Sequence, residues 1–117
     1  AEMSMPLSLK EKIDIIICPS AWGYGSEELY SGCAKIRAAE NQVFVVALNR
    51  ACGNEKYCGN STAANPDGTV LCRLTTVEEA FAVVTFEKEK LDQAREFIPW
   101  RQMKQDKIYA QIMKRYE

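Results

Sequence analysis

A chain of 117 residues, 47% of them hydrophobic, has room for one folded domain and not comfortably for two. Its formal net charge of −1 offers no basic surplus to hold nucleic acid or an acidic membrane. No apolar run approaches the roughly 20 residues that cross a bilayer, and histidine is absent, which removes the commonest zinc ligand and the commonest general base together.

No internal repeat or low-complexity tract interrupts the chain, and the first residues carry no leader pattern of charge followed by an apolar run. The five cysteines, Cys18, Cys33, Cys52, Cys58 and Cys72, are odd in number and none has CxxC spacing. Two readings stand: structural thiols in a reducing cytoplasm, or a bridge between Cys52 and Cys58 across a short loop.

Residues 1–12 read as a short helix broken or started at Pro6. The run from Ile13 to Cys18 is β-branched at nearly every position, the pattern of a strand inside a sheet covered on both faces. Pro19 ends it, and Trp22, Gly23 and Gly25 form a loop. Ser26 is placed to cap a helix with Glu27 and Glu28 in its first turn. Leu29, Cys33 and Ile36 recur at helical spacing as its inner stripe, Arg37 and Glu40 are three apart and able to pair, and Asn41 suits its end. Val43 to Leu48 is a second continuous apolar strand.

A polar loop, 50–60, precedes a strand expected over 57–64. Asn65-Pro66-Asp67-Gly68 is a turn joining it to a strand over 69–74. The β-branched and aromatic run 80–86 extends the meander. Glu87 to Ile98 is a helix with Leu91, Ala94 and Ile98 inward, stopped by Pro99. Residues 100–117 are either a solvated tail or an arm packed on a second copy. The sum is an α/β fold, a mixed sheet with helices on one face. Two strands that need cover on both faces face a chain with helices for only one.

Chemistry is sparse. Cys18 ends a strand, where α/β sites form, and taken alone is the best nucleophile candidate, yet it closes an apolar run and precedes proline, the setting of a packed residue; Cys52 and Cys58 lie in a loop, but no convergent acid/base pair accompanies either in sequence. No phosphate-cradling glycine pattern and no carboxylate set with metal spacing is present, so neither cofactor nor metal is expected.

Several short motifs occur in a recognisable order: DIIICPSAW, a helix ending RAAENQ, VFVVALNR, the Gly59–Ser61 element, and NPDGTVL. Together with the closing helix and IPWRQMKQDKIY they resemble the carbon–nitrogen hydrolase (nitrilase) superfamily over essentially the whole chain. The resemblance implies that residues 1–117 form the C-terminal half of a four-layer α-β-β-α sandwich, with 100–117 as a tail. It implies hydrolysis of a small amide, carbamoyl or nitrile substrate by a Glu–Lys–Cys triad through a covalent acyl-enzyme. In the family all three triad members precede the matched segment, and Glu2 resembles a glutamate just after the nucleophile motif. No residue of this chain is therefore assigned a catalytic role. Trp22, Asn49 and Ser61 resemble positions bordering the family's pocket, Arg37 and Glu40 a structural pair, and Trp100–Tyr109 an arm that crosses to a neighbouring subunit. The expected protein is a cytoplasmic homo-oligomer binding neither nucleic acid nor membrane. The alternative is a truncated, non-catalytic homologue serving oligomerisation or interaction.

Overall fold

The structure is a computed structural model that describes residues 13–51 and 56–103, with 107, 111 and 114. The helix expected over 1–12 and most of the expected tail lie outside the described residues.

Strand β1 (Ile15–Ser20) pairs in parallel with β2 (Phe44–Asn49), Ile15 opposite Phe44 and Ser20 opposite Asn49. Parallel neighbours need a crossover, and helix α1 (Glu27–Asn41) supplies it. Strands β3 (Thr62–Ala64) and β4 (Val70–Arg73) then add in antiparallel fashion, giving the mixed sheet order β1-β2-β3-β4. The β3–β4 turn is built as its residues require. Gly68 has φ +84°, its N–H donates to the Asn65 carbonyl at 2.8 Å, and Asp67 Oδ1 accepts from the Thr69 N–H and hydroxyl. Helices α2 (Lys88–Phe97) and α3 (Trp100–Met103) close the described chain.

The molecule is thus α/β, a slab of 48 × 39 × 20 Å whose thin dimension fits one helical layer on one sheet. The core lies between them. Val43, Val45, Ala47 and Ala64 meet Tyr30, Ala34 and Ala38 of α1, with Cys58 closing one end. The opposite sheet face carries Ile15, Ile17, Phe44, Val46, Leu48, Ala63 and Cys72 by register. Ile17 is 61% exposed and Leu48 46%. Among the described residues β1 is therefore an edge strand with one open face, not the enclosed strand that its composition implies; α1 covers the side facing Ile16.

Four further expectations are corrected. The inner stripe of α1 is not Leu29–Cys33–Ile36. Leu29 and Ile36 are exposed, and the buried positions are Tyr30, Ser31, Ala34, Ala38 and Asn41. Small alanines let the helix approach the pleated sheet closely, where branched residues would hold it off. Ser26 occupies the N-cap position, but its side chain makes no cap bond there. The strand expected over 57–64 begins only at Thr62, because Gly59 and Asn60 both take positive φ, +58° and +62°, and break the extended run. Tyr57 keeps one isolated bridge to Gly23. Residues 80–86 join no ladder among the described residues. They pass over the open sheet face, where Phe86 packs on Phe44 with ring centroids 4.9 Å apart, and so do not run along the edge of β4.

Helix α2 is pinned at the end of the sheet where β1 and β2 begin. Leu91 is buried, while Ala94 and Ile98 are half-buried. Gln42, left-handed at φ 51°, donates through Nε2 to the carbonyls of Ala94 and Ile98, which a helix end leaves without partners. Arg95 bridges to Asp14 at 3.0 Å and to the carbonyls of Gln42 and Ile13.

Candidate functional site

Chemistry-bearing side chains gather at the opposite end, where β1 and β2 finish and the 57–61 loop returns. Asn49, the last residue of β2, is the hub. Its Oδ1 accepts the Trp22 N–H at 2.7 Å. Its Nδ2 donates to the Trp22 carbonyl at 3.3 Å and to Cys58 Sγ at 3.0 Å. Its own N–H donates to Ser61 Oγ at 2.9 Å, and that hydroxyl donates back to the Asn49 carbonyl at 3.3 Å. The Cys58 N–H closes the circle on the Trp22 carbonyl at 3.0 Å. One asparagine side chain, using both ends of its amide, thereby fixes two loops against the strand that carries it.

A second set continues beneath. The Trp22 ring tilts on Tyr30 with centroids 5.3 Å apart, and the Tyr30 hydroxyl shares a 2.6 Å hydrogen bond with Ser20, which also donates to the Leu48 carbonyl. Burial pushes the Tyr30 phenol above its ordinary value, and the Ser20 bond offsets part of that. Burial likewise pushes the Cys58 thiol up, and the Glu27 carboxylate adds to it, while the Asn49 bond pulls the other way. A thiol held neutral in this manner is a poor nucleophile. At the rim, Arg73 reaches Asn60 Oδ1 at 2.9 Å and Glu28 at 2.7 Å, and Asn60 donates to the Glu27 carbonyl, so β4 is tied to the start of α1. The Arg73 hydrogen bond and charge hold the Glu28 carboxyl below its ordinary range.

The structure thus brings Trp22, Asn49 and Ser61 together. Asn49 and Ser61 also line a cleft of about 320 Å³ between the open sheet face (Val46, Leu48, Cys72) and the passing segment 80–84. Trp22 lies outside that cleft and packs on the core side. Arg37 and Glu40 form an ion pair at the far end of α1, and Asn41 Nδ2 donates to the Arg37 carbonyl at 2.8 Å. Cys18 is exposed, and Cys18, Cys33, Cys58 and Cys72 are all free thiols; Cys52 lies outside the described residues. Among the described residues no group of three or more acidic or cysteine side chains could hold a metal, and no helix is long and apolar enough to cross a membrane.

Sequence reasoning did not nominate Tyr30; Ser20 entered only as part of the PSAW motif, and Cys58 only as a loop thiol or bridge partner of Cys52. The one available signal was Tyr30 itself, a bulky residue a single turn into a helix whose other residues in the apolar core cluster, Ala34 and Ala38, are alanines.

This architecture has known counterparts. A carbon–nitrogen hydrolase family model matches residues 4–96. The "hydrolase in agr operon" of Staphylococcus lugdunensis is 37% identical over 68 residues, covering 56% of this chain and 28% of that protein. The carbon–nitrogen hydrolase of Helicobacter pylori G27 superposes with a TM-score of 0.80 at 19% identity, covering 93% of this chain and 44% of that one. Saccharomyces cerevisiae Nit3, a member of the nitrilase superfamily, superposes with a TM-score of 0.71 at 26% identity, covering 84% of this chain and 37% of that one. The chain belongs to the carbon–nitrogen hydrolase family. It spans less than half the length of each of these relatives.

Proposed function

We propose that this chain is the C-terminal portion of a hydrolase that cleaves non-peptide carbon–nitrogen bonds in small amide, carbamoyl or nitrile substrates. The observation that carries the reading is a match over nearly all of this chain to less than half of a carbon–nitrogen hydrolase. The Glu–Lys–Cys triad belongs to the part not spanned. There a glutamate takes the proton of a cysteine thiol, the sulfur attacks the carbon, and a lysine stabilises the tetrahedral intermediate. From an amide or carbamoyl substrate the nitrogen leaves as ammonia or an amine, taking up the proton; a nitrile first gives a thioimidate, which must add one water before ammonia leaves; a further water then cleaves the acyl–sulfur bond.

The role of this chain in that reaction is to shape the pocket border. Asn49 holds the Trp22 and Cys58 loops at the end of β2, and Ser61 pins the Asn49 backbone. Arg37 and Glu40 serve structure at the distal end. Four free thiols suit a reducing compartment, the cytoplasm.

The test is ammonia release from simple amides and nitriles by the purified chain, with and without Cys18→Ala. No turnover is expected from either. A measurable rate that disappears in Cys18→Ala overturns the reading, because it would place the nucleophile in this chain. The open apolar face favours one second reading, a non-catalytic homologue that self-associates or binds a relative through it. Sedimentation of the chain as a compact monomer that binds no apolar dye counts against both readings, because either leaves a large apolar face exposed.

A further inference from the structure

Arg50 is the first residue past β2, and nothing described so far uses it. Its backbone is anchored: the N–H donates to the Ser20 carbonyl at 3.1 Å, so Arg50 stands where β1 and β2 both end. Its exposed side chain lies over Tyr57, with the guanidinium carbon 5.0 Å from the ring centroid. Lys56 Nζ lies 5.3 Å from the same centroid. Tyr57 is held in turn, by its bridge to Gly23 and by flanking bonds from the Tyr24 N–H to the Lys56 carbonyl and from the Cys58 N–H to the Trp22 carbonyl. Two cations on one ring thus sit on the loops that Asn49 clamps, at the carboxyl ends of parallel strands, where α/β proteins take their ligands.

The ring places the guanidinium without neutralising it. A cation–π contact at an exposed site is worth about 0.5–1 kcal/mol and covers one face of the group. The N–H donors point outward in the guanidinium plane, so they stay available at its edge. Among the described residues the ion pairs all use other cations, and no hydrogen bond uses the Arg50 side chain. The carboxylates at this end are engaged: Glu27 accepts the Gly25 N–H at 3.0 Å, and Glu28 is paired with Arg73. A positioned fork of donors without a carboxylate of its own suits a planar anion from outside.

We propose that Arg50 is a specificity residue that binds a carboxylate on the substrate, remote from the carbon–nitrogen bond that is cleaved, with Tyr57 as the platform that holds the guanidinium in place. The inference rests on the functional reading above for the reaction, and it adds the substrate class: a short amide, carbamoyl compound or nitrile that is itself an anion. Arg50 contributes to affinity and choice of substrate, and an uncharged analogue of the same length leaves its donors unused.

Chemical-shift titration of the 117-residue chain tests the site. Two probes of equal chain length are compared at low salt: glutaric acid monoamide, which carries a carboxylate, and pentanamide, which does not. The monoamide should move the Arg50 Nε–H and the Tyr57 amide signals saturably, and pentanamide should leave them in place. Arg50→Gln should abolish the Tyr57 shift, and salt at about 0.5 M should weaken binding several-fold. No saturable shift, equal shifts with both probes, or a Tyr57 shift that survives Arg50→Gln overturns the proposal. Inorganic phosphate moving these signals where the monoamide does not also overturns it.

Steady-state hydrolysis separates this inference from the reading beneath it. The enzyme is one polypeptide in which this chain follows the N-terminal part of the Staphylococcus lugdunensis hydrolase. The ratio of kcat/KM for the monoamide to that for pentanamide should fall about tenfold or more in Arg50→Gln, chiefly through KM. Arg50→Lys, which keeps the charge and loses the fork, should recover part of it. Turnover of both amides at a ratio that Arg50→Gln does not change overturns the inference and keeps the hydrolase reading. Saturable binding of the monoamide to the chain, with no turnover of either amide by the folded joined protein, keeps the carboxylate site and removes the hydrolase assignment.

Discussion

Gly59 and Gly25 have the same backbone hand and opposite surroundings. Both take positive φ, +58° and +83°. Around Gly25 nothing lies within 4 Å of where a Cβ would be, whereas at Gly59 that atom would overlap the Thr76 carbonyl oxygen. Gly25→Ala should cost about 1 kcal/mol, the penalty for a left-handed non-glycine residue alone. Gly59→Ala must also move the backbone that carries Asn60 and Ser61, and should cost at least about 3 kcal/mol. Urea unfolding midpoints of the two variants measure the difference. Cys58 supplies a pH test. An ordinary thiol titrates near about 8.5, and burial of Cys58 raises it in the fold. Between those two values the unfolded chain has lost a proton that the folded chain keeps, so stability falls as pH rises through that window. Melting temperature followed from about pH 8 to about pH 10 should therefore decline less steeply in Cys58→Ala than in the parent.

At the scale of elements, α1 carries the sharpest contrast. Ala38 is 0% exposed against the sheet, and Ile36, two residues earlier, faces solvent. Enlarging the small residue should hurt more than shrinking the large one. Ala38→Leu overpacks the helix–sheet seam and should cost about 1–3 kcal/mol, while Ile36→Ala should stay within about 0.5 kcal/mol. Thermal denaturation of both variants checks the order. The same contrast explains what the sequence disclosed and what it hid. The helix was legible from its spacing and its acidic first turn, but its inner face was not, because the bulk at 29, 33 and 36 outweighs the alanines in any reading by hydrophobicity. The NPDG hairpin was legible because turn chemistry is local. The shortened β3 was not, since nothing in Gly59-Asn60 announces two successive left-handed residues. At the candidate site, family likeness nominated Trp22, Asn49 and Ser61, but the hydrogen bonds linking them span 12 to 27 residues, a range at which residue patterns say nothing. Ser20 and Tyr30 meet across ten residues and two elements. Their pairing depends on the crossover angle of α1, which composition does not encode.

For the whole molecule, the unbroken greasiness of β1 and β2 reads as burial on both faces, and the described residues provide full cover on one. Alternate positions of a single strand should then answer the same substitution in opposite ways. Val45 is 2% exposed on the α1 side, and Leu48, three residues along the same strand and on its opposite face, is 46% exposed. Val45→Lys buries an unpaired ammonium, a change costly enough to prevent folding of a marginally stable domain. Leu48→Lys leaves its charge in water and gives up only partial burial, so it should shift stability by about 1 kcal/mol or less. It should also lower binding of an apolar dye and raise solubility, because it places a charge in the middle of the exposed apolar surface. Far-ultraviolet circular dichroism and dye fluorescence on the two variants read both effects. If Leu48→Lys unfolds the chain as Val45→Lys does, the sheet has cover on both sides after all, and a two-layer molecule is the wrong description.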